Sequence, residues 1–385
     1  MTTRRLAQAQ VHNGANPVAA PAHMLSRRLF IATAAAATVP TSAAPRVPRV
    51  VFLDPGSPAP QASGPMSRAA VDFMTIAAAQ LGIKLEVLHA NHDHLLMIRH
   101  AQAVAARAEP PDYVVLVNDK MAAPAMLNAL APSPVQVFVI HSDVTDEQRR
   151  DTGNERERYP RWIGSAAPDN TRGVFRLAQA LHAALGGRPI RALGITGPPS
   201  TPVSNERAQG LKDYVASVPG ARLEQLVYSD WSEADGQRKA WVLLSRYPEA
   251  NLVWAANDEM AMGALQAAVE HGAQVVVGGM GGWTRALRSI ADGGLSATLT
   301  GHHLIGAWAL VMLYDHANGI DFASDGGVRR KLDYLHVVTR ANLREYENTF
   351  GEHERPIDFR RYSKAHRPQL AHYDFSFAPL LARSN

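Results

Sequence analysis

Short apolar runs rich in Val, Ile and Leu alternate with longer amphipathic stretches from about residue 50 to residue 320. The runs predict strands at 50–53, 84–88, 113–117, 136–140 and 162–164, then a second series at 192–195, 223–228, 252–255, 274–277 and 297–299. Between them, helical spacing of apolar positions predicts helices over 66–81, 95–108, 170–185, 205–217, 233–246, 259–271, 284–291 and 304–318. Gly82, Gly186, Gly272 and Gly319 follow four of these, where helices commonly end, and Asp93 and either Asn257 or Asp258 stand at N-cap positions. The unbroken run Tyr113-Val114-Val115-Leu116-Val117 has no polar alternation, so it suits a strand covered on both faces, as in a parallel sheet. Strand–helix–strand alternation on this scale means an α/β fold.

Ten strands are many for one open sheet, and the series breaks at 164–170 and again at 298–303, which reads as two changes of lobe. A late strand is predicted over 332–338. The segment 341–385 is charged, aromatic and without clear periodicity, and reads as an extension laid over the body or partly disordered.

Composition narrows the class. With 385 residues, 46% of them hydrophobic, there is material for one large domain or two ordinary ones. No cysteine is present, which excludes disulfides, thiolate nucleophiles and Cys-ligated metals. The formal charge of +4 invites a nucleic-acid reading until its location is read. Residues 1–44 carry Arg4, Arg5, Arg27 and Arg28 and no acid; 39 bases less these four leaves 35 against 35 acids. Ser26-Arg27-Arg28-Leu29-Phe30-Ile31 opens a short Ala-rich apolar stretch, followed by Thr41-Ser42-Ala43-Ala44. Basic, apolar and small-residue parts in that order are those of an export signal. The twin arginine gives it a Tat-like character, and the stretch is shorter than the roughly 20 apolar residues that span a bilayer. The expected location is the periplasm.

Ligands of open parallel sheets bind beyond the carboxyl ends of the strands. The residues there include Ser57 after the first strand, Asn118 and Asp143 after the third and fourth, and Trp231, Asn257 and Asp258 in the second series. Met280 sits in a glycine-rich turn ahead of Trp283, and His302 follows the last strand of the series. Amides, carboxylates, short alcohols and indoles together fit a small polyhydroxylated ligand. Singly, each Asp or Asn reads as well as a cap or turn residue; the set carries the argument. No phosphate loop, dinucleotide fingerprint or Gly-x-Ser-x-Gly elbow occurs. The cluster His89 to His94 straddles a strand end and a helix start, so its side chains should diverge, with Asp93 as a cap. No metal, cofactor or catalytic residue is expected. The mixed-charge run 146–158 reads as a solvated loop.

The segment Asn251-Leu252-Val253-Trp254-Ala255-Ala256-Asn257-Asp258-Glu259-Met260-Ala261-Met262-Gly263-Ala264-Leu265 resembles the strand-then-N-D-x-x-A-x-G-A signature of type I periplasmic binding proteins. Ser204 to Gly210 resembles their R-x-x-G helix start, and the turn at 278–282 follows the family order. Within the family, the sequence is similar to the sugar-binding and autoinducer-2 receptor-like branches; Arg361-Tyr362-Ser363 is shared with the latter. The resemblance implies two Rossmann-like lobes with parallel sheets, joined by a three-strand hinge and closing on a ligand. The implied lobes are 45–165 with 302–320, and 166–301 with 321–340. It further implies Arg207 as the strongest donor, Asn257 and Asp258 as acceptors, and Trp231 and Trp283 as stacking walls. Alternatives for these are a surface salt bridge of Arg207 with Glu206 or Asp213, a helix cap, and a buried Trp. Met280 stands where sugar binders often place an acid. The implied partner is an inner-membrane ABC permease or, alternatively, a sensor histidine kinase or chemoreceptor. No nucleic acid is implied, since an export signal stands where related regulators carry a DNA-binding motif.

Overall fold

The computed structural model describes residues 47–58, 64–350 and 357–381, with side chains in the first helix from residue 69 onward. The expected export signal lies outside these described residues. All ten strands of the two series form: β1 (Arg49–Asp54), β2 (Lys84–His89), β3 (Tyr113–Val117), β4 (Gln136–Ile140) and β5 (Trp162–Pro168), then β6 (Arg191–Thr196), β7 (Arg222–Tyr228), β8 (Leu252–Ala255), β9 (Val276–Met280) and β10 (Ala297–Thr300). The late strand is two, β11 (Arg329–Leu332) and β12 (His336–Thr339).

They build two six-stranded sheets, ordered β11-β5-β4-β3-β1-β2 and β12-β10-β9-β8-β6-β7. The first is parallel throughout; in the second only β12 runs antiparallel, against β10. Parallel strands need crossovers, and the helices supply them while covering both faces. All five residues of β3 are accordingly buried. Three connections pass between the sheets: after β5, after β10, and between β11 and β12.

Two expectations change. β5 runs on to Pro168, past the boundary expected at residue 165, and Arg329–Leu332 pair with Ser165–Pro168 in the first sheet, although 321–340 was expected in the second lobe. Arg329 holds β11 to the first sheet through Asp143 (2.7 Å), and only three residues, Asp333 to Leu335, then carry the chain to β12 at the other sheet's edge. The run 146–158 is not a solvated loop. Asp146–Thr152 is a helix opened by a Thr145–Gln148 capping box. Its Arg149 is buried, bonded to Asp143 (2.9 Å) and Glu155 (2.8 Å) and stacked on Trp162. Seven residues are too few for a legible helical period. The extension takes the first of its two expected arrangements and is laid over the body: Leu343–Phe350 is helical, and Tyr346, Phe359, Phe375 and Phe377 are buried.

The helices Glu233–Arg246 and Asp258–His271 cross in backbone contact. A β-carbon on Gly263 would lie 2.1 Å from the Glu233 carbonyl oxygen, and one on Gly236 would lie 2.6 Å from the Met260 Cα. Only glycine permits that approach.

Candidate functional site

A cavity of about 300 Å³ opens at the carboxyl ends of both sheets. The first lobe contributes Asp54, Pro55 and Gly56 from the end of β1, Asp119 beyond β3, and Ile140, His141 and Ser142 at the end of β4. The second contributes Val203 and Arg207 from the helix Pro202–Ser217, with Trp231, Asn257, Glu259 and Met280. His302 and His303, on the crossing after β10, complete the wall.

Arg207 is buried. Nη1 donates to the Ala256 carbonyl (2.7 Å) and Nε to Asn170 Oδ1 (3.4 Å), and the guanidinium lies 5.8 Å from the Trp231 ring centroid. Burial brings its pKa down to about 10, with Glu206, Glu259 and Asp258 opposing. Two imidazoles stand in its field: His141 is lowered to about 4, by burial first and Arg207 second, and His302 is lowered well below its ordinary value for the same reasons. Burial alone lowers His303 to about 4. The three rings are neutral at physiological pH and can each donate and accept once; His302 Nδ1 is buried without a partner. Burial, with Asp258 and Glu233 adding to it, raises Glu259 to about 7.

Strain gathers here. Among the described residues, seven other than glycine take left-handed backbone angles, and His92, His141 and Trp231 of these line the cavity. Such conformations cost on the order of 1–3 kcal/mol each and persist where the surroundings enforce them. At Trp231 the enforcement is visible: Asn257 Nδ2 donates to the Trp231 carbonyl (2.9 Å) while Asn257 Oδ1 caps its own helix through Met260 N–H (2.9 Å).

Five of the ten residues read from the sequence line the cavity: Arg207, Trp231, Asn257, Met280 and His302. Asn118, Asp143, Asp258, Trp283 and Ser57 are outside its lining. Asn118 is buried, donating to the Asp143 carbonyl (2.8 Å) and Gln148 Oε1 (2.7 Å) and accepting from Ala123 N–H (3.0 Å). Asp143 accepts from Arg149 (2.9 Å) and from Arg329 (2.7 Å), fastening β11 to the first sheet. Asp258 accepts from Thr298 Oγ1 and Gly282 N–H, both 2.7 Å, and so clasps β10 to the glycine-rich turn; burial raises it to about 6. Trp283 is half-buried at the start of the helix Thr284–Ala291, and Ser57 is half-buried beside the lining Gly56. Of the His89–His94 cluster, His89 bonds Asp54 (2.7 Å) and Asp93 caps its helix through Leu95 N–H (2.8 Å). Among the described residues no group is placed to hold a metal.

The sequence matches the periplasmic binding protein domain over residues 59–321. The chain belongs to the periplasmic binding protein family. This binding protein is similar to a periplasmic sugar-binding protein of Pseudomonas fluorescens: 34% identical, TM-score 0.77, covering 88% of this chain and 100% of that one. It also resembles the ribose import binding protein of Bacillus subtilis (strain 168), 32% identical over 133 residues, or 34% of this chain and 43% of the relative. The chain thus matches under half the length of that relative. A solute-binding protein of Actinobacillus succinogenes 130z with bound D-allose shares the fold, at 18% identity and TM-score 0.67 over 78% of this chain and 100% of that one.

Glu259 gives the binding protein a testable pH signature. Its native carboxyl keeps a proton to about 7, whereas an unfolded glutamate loses it near 4.5. Between these values the folded state holds the extra proton, so this group subtracts stability as pH rises through the window. Glu259→Gln is therefore expected to match the wild-type Tm near pH 4.5 and exceed it increasingly up to about pH 7. A constant difference from pH 4.5 to 8 would contradict the assignment.

Proposed function

We propose that this protein captures a small sugar-like ligand between its lobes and delivers it to an inner-membrane ABC importer. The cavity carries the reading: a buried Arg207 stacked on Trp231 in one lobe, across from His141 in the other, with His302 on the crossing between them. Ring or hydroxyl oxygens accept from the guanidinium, neutral imidazoles pair with hydroxyls in either sense, and the indole covers a C–H face. Contacts from both lobes exist together only when the lobes are closed, so ligand shifts the equilibrium toward closure. The family match, the sugar-binding relative at 34% identity and the ribose import relatives support it. Met280 supplies an apolar wall, which favours a ligand with one unhydroxylated face. Export through the Tat-like signal at 1–44 would place the protein in the periplasm.

The test is a thermal-shift screen of pentoses, hexoses, polyols and furanosyl compounds. A true ligand at 100 times its Kd adds about 2.7 kcal/mol of stability. The expected result is one or a few carbohydrates raising Tm without being consumed. No shift across the panel, or turnover of the hit, would overturn the proposal.

A further inference from the structure

The C-terminal extension fastens both lobes. Its middle is held to the first: Gln80 in the helix Gly64–Leu81 accepts from Phe359 N–H (2.7 Å) and donates to the Ile357 carbonyl (2.8 Å). Asp315, fully buried in the helix Ile305–Ala317, accepts from Ser363 Oγ (2.5 Å), Lys364 N–H (2.7 Å), Ala365 N–H (3.0 Å) and Tyr373 Oη (2.9 Å). Phe375 then stacks on Trp308 of that helix, centroids 4.9 Å apart. The helix belongs to the first lobe, packing on Gly64–Leu81, β4 and β5.

Two residues later the chain is in the second lobe. Phe377 stacks on His336 of β12 (4.8 Å, 3° between planes) and on Phe350 (5.1 Å). Next to Phe350, Tyr346 bonds Thr300 Oγ1 (2.8 Å) at the end of β10. The step from Phe375 to Phe377 spans at most ~7 Å even when fully extended. Beneath it lies Gly301, at φ 104°, where a β-carbon would come within 3.1 Å of the Phe377 ring. Phe350 also reaches the cavity wall: His303 is stacked on Phe73 of the first lobe (5.1 Å) and edge-on to Phe350 of the second (6.0 Å).

We propose that Phe350 and Phe377 are positioning residues of the binding site: Phe350 holds His303 against the cavity with Phe377 stacked behind it, and the pair makes residues 375–377 a short further tie across the hinge that limits how far the lobes part. The lobes separate fully only if these rings unstack, so the ligand-free protein samples a narrower range of openings than the connections between the two sheets alone would permit. The consequence for ligand release rests on the function proposed above; the restraint on opening does not.

The chain has no cysteine, so a labelled pair can be introduced cleanly, at Arg99 on an exposed helix of the first lobe and Val269 on an exposed helix of the second. Spin-label distances are measured without ligand. The expected result is a narrow distribution for the parent pair and a broader one, extended to longer distances, for Phe377→Ala and Phe350→Ala. Phe377→Leu should restore most of the narrowing. A merely structural role would lower Tm and leave the distribution unchanged, and that outcome in folded alanine variants overturns the proposal. Should both alanine variants fail to fold, hydrogen exchange of the wild-type chain decides: protected amides at Leu380 and Leu381, which donate to the Phe377 carbonyl, support the tie, and exchange at the rate of a free tail refutes it. A blank sugar screen with a broadened distribution would reject the proposed ligand class while keeping the tie.

Discussion

Replacing Arg207 by alanine is expected to abolish the ligand-induced rise in Tm at a concentration that saturates the wild type. The guanidinium is already oriented by the Ala256 carbonyl and by Trp231, so it needs no reorganisation when ligand arrives. Hydrogen bonds from a charged donor contribute about 1.5–3 kcal/mol each. Loss of one or two lowers affinity by roughly 10- to 10⁴-fold on that basis. Arg207→Lys should fall between, because it keeps the charge but not the planar fork. Isothermal titration with the best ligand from the screen measures both. The ligand-free Tm should change little in Arg207→Ala, since removing a buried charge also removes its desolvation cost. Unchanged affinity in that variant would place the ligand elsewhere.

Gly263→Ala is expected to be the most damaging single methyl group in the second lobe. The added carbon would meet the Glu233 carbonyl oxygen at 2.1 Å and the Gln237 nitrogen at 2.8 Å, both backbone atoms that no rotamer change can move aside. The two helices must separate, at a cost on the order of 3 kcal/mol. Gly194→Ala is the control. Its β-carbon would touch only the Leu226 and Leu211 side chains, at 3.1–3.2 Å, which can give way. Urea unfolding should show a large fall in midpoint for the first and a small one for the second. Equal effects would mean that the helix crossing is softer than its geometry implies.

The strands were legible because parallel sheets bury both faces, so β3 and β8 are uninterrupted apolar runs, and β4 is one after Gln136, with ends that coincide with those predicted. β11 was not: Arg329-Arg330-Lys331-Leu332 is an edge strand whose basic side chains lie largely outside the core, and it carries no apolar signal. The same limit governed the site. Strand ends correctly marked where the cavity lies, but two or three polar residues follow each strand, and backbone geometry decides which of them faces inward. At β4 the left-handed turn at His141 puts His141 and Ser142 on the cavity, while Asp143 turns to Arg149 and Arg329. After β8, Asn257 and Glu259 face in and Asp258 faces β10. Asn257 is the extended N-cap of its helix, a position the sequence marks, so its parting from Asp258 could have been anticipated; the turn at His141 could not.

The placement of β11 also bears on the order in which the molecule assembles. β6 to β10 form the central part of the second sheet from one continuous stretch of chain. The first sheet is complete only when β11 reaches β5, and the Arg156–Asp321 pair beside it joins positions 165 residues apart. Closing so long a loop costs conformational entropy that local contacts do not, and that cost is much reduced once the intervening chain has condensed. The second lobe is thus placed to fold early, acting as the splint that brings the two ends of the first together.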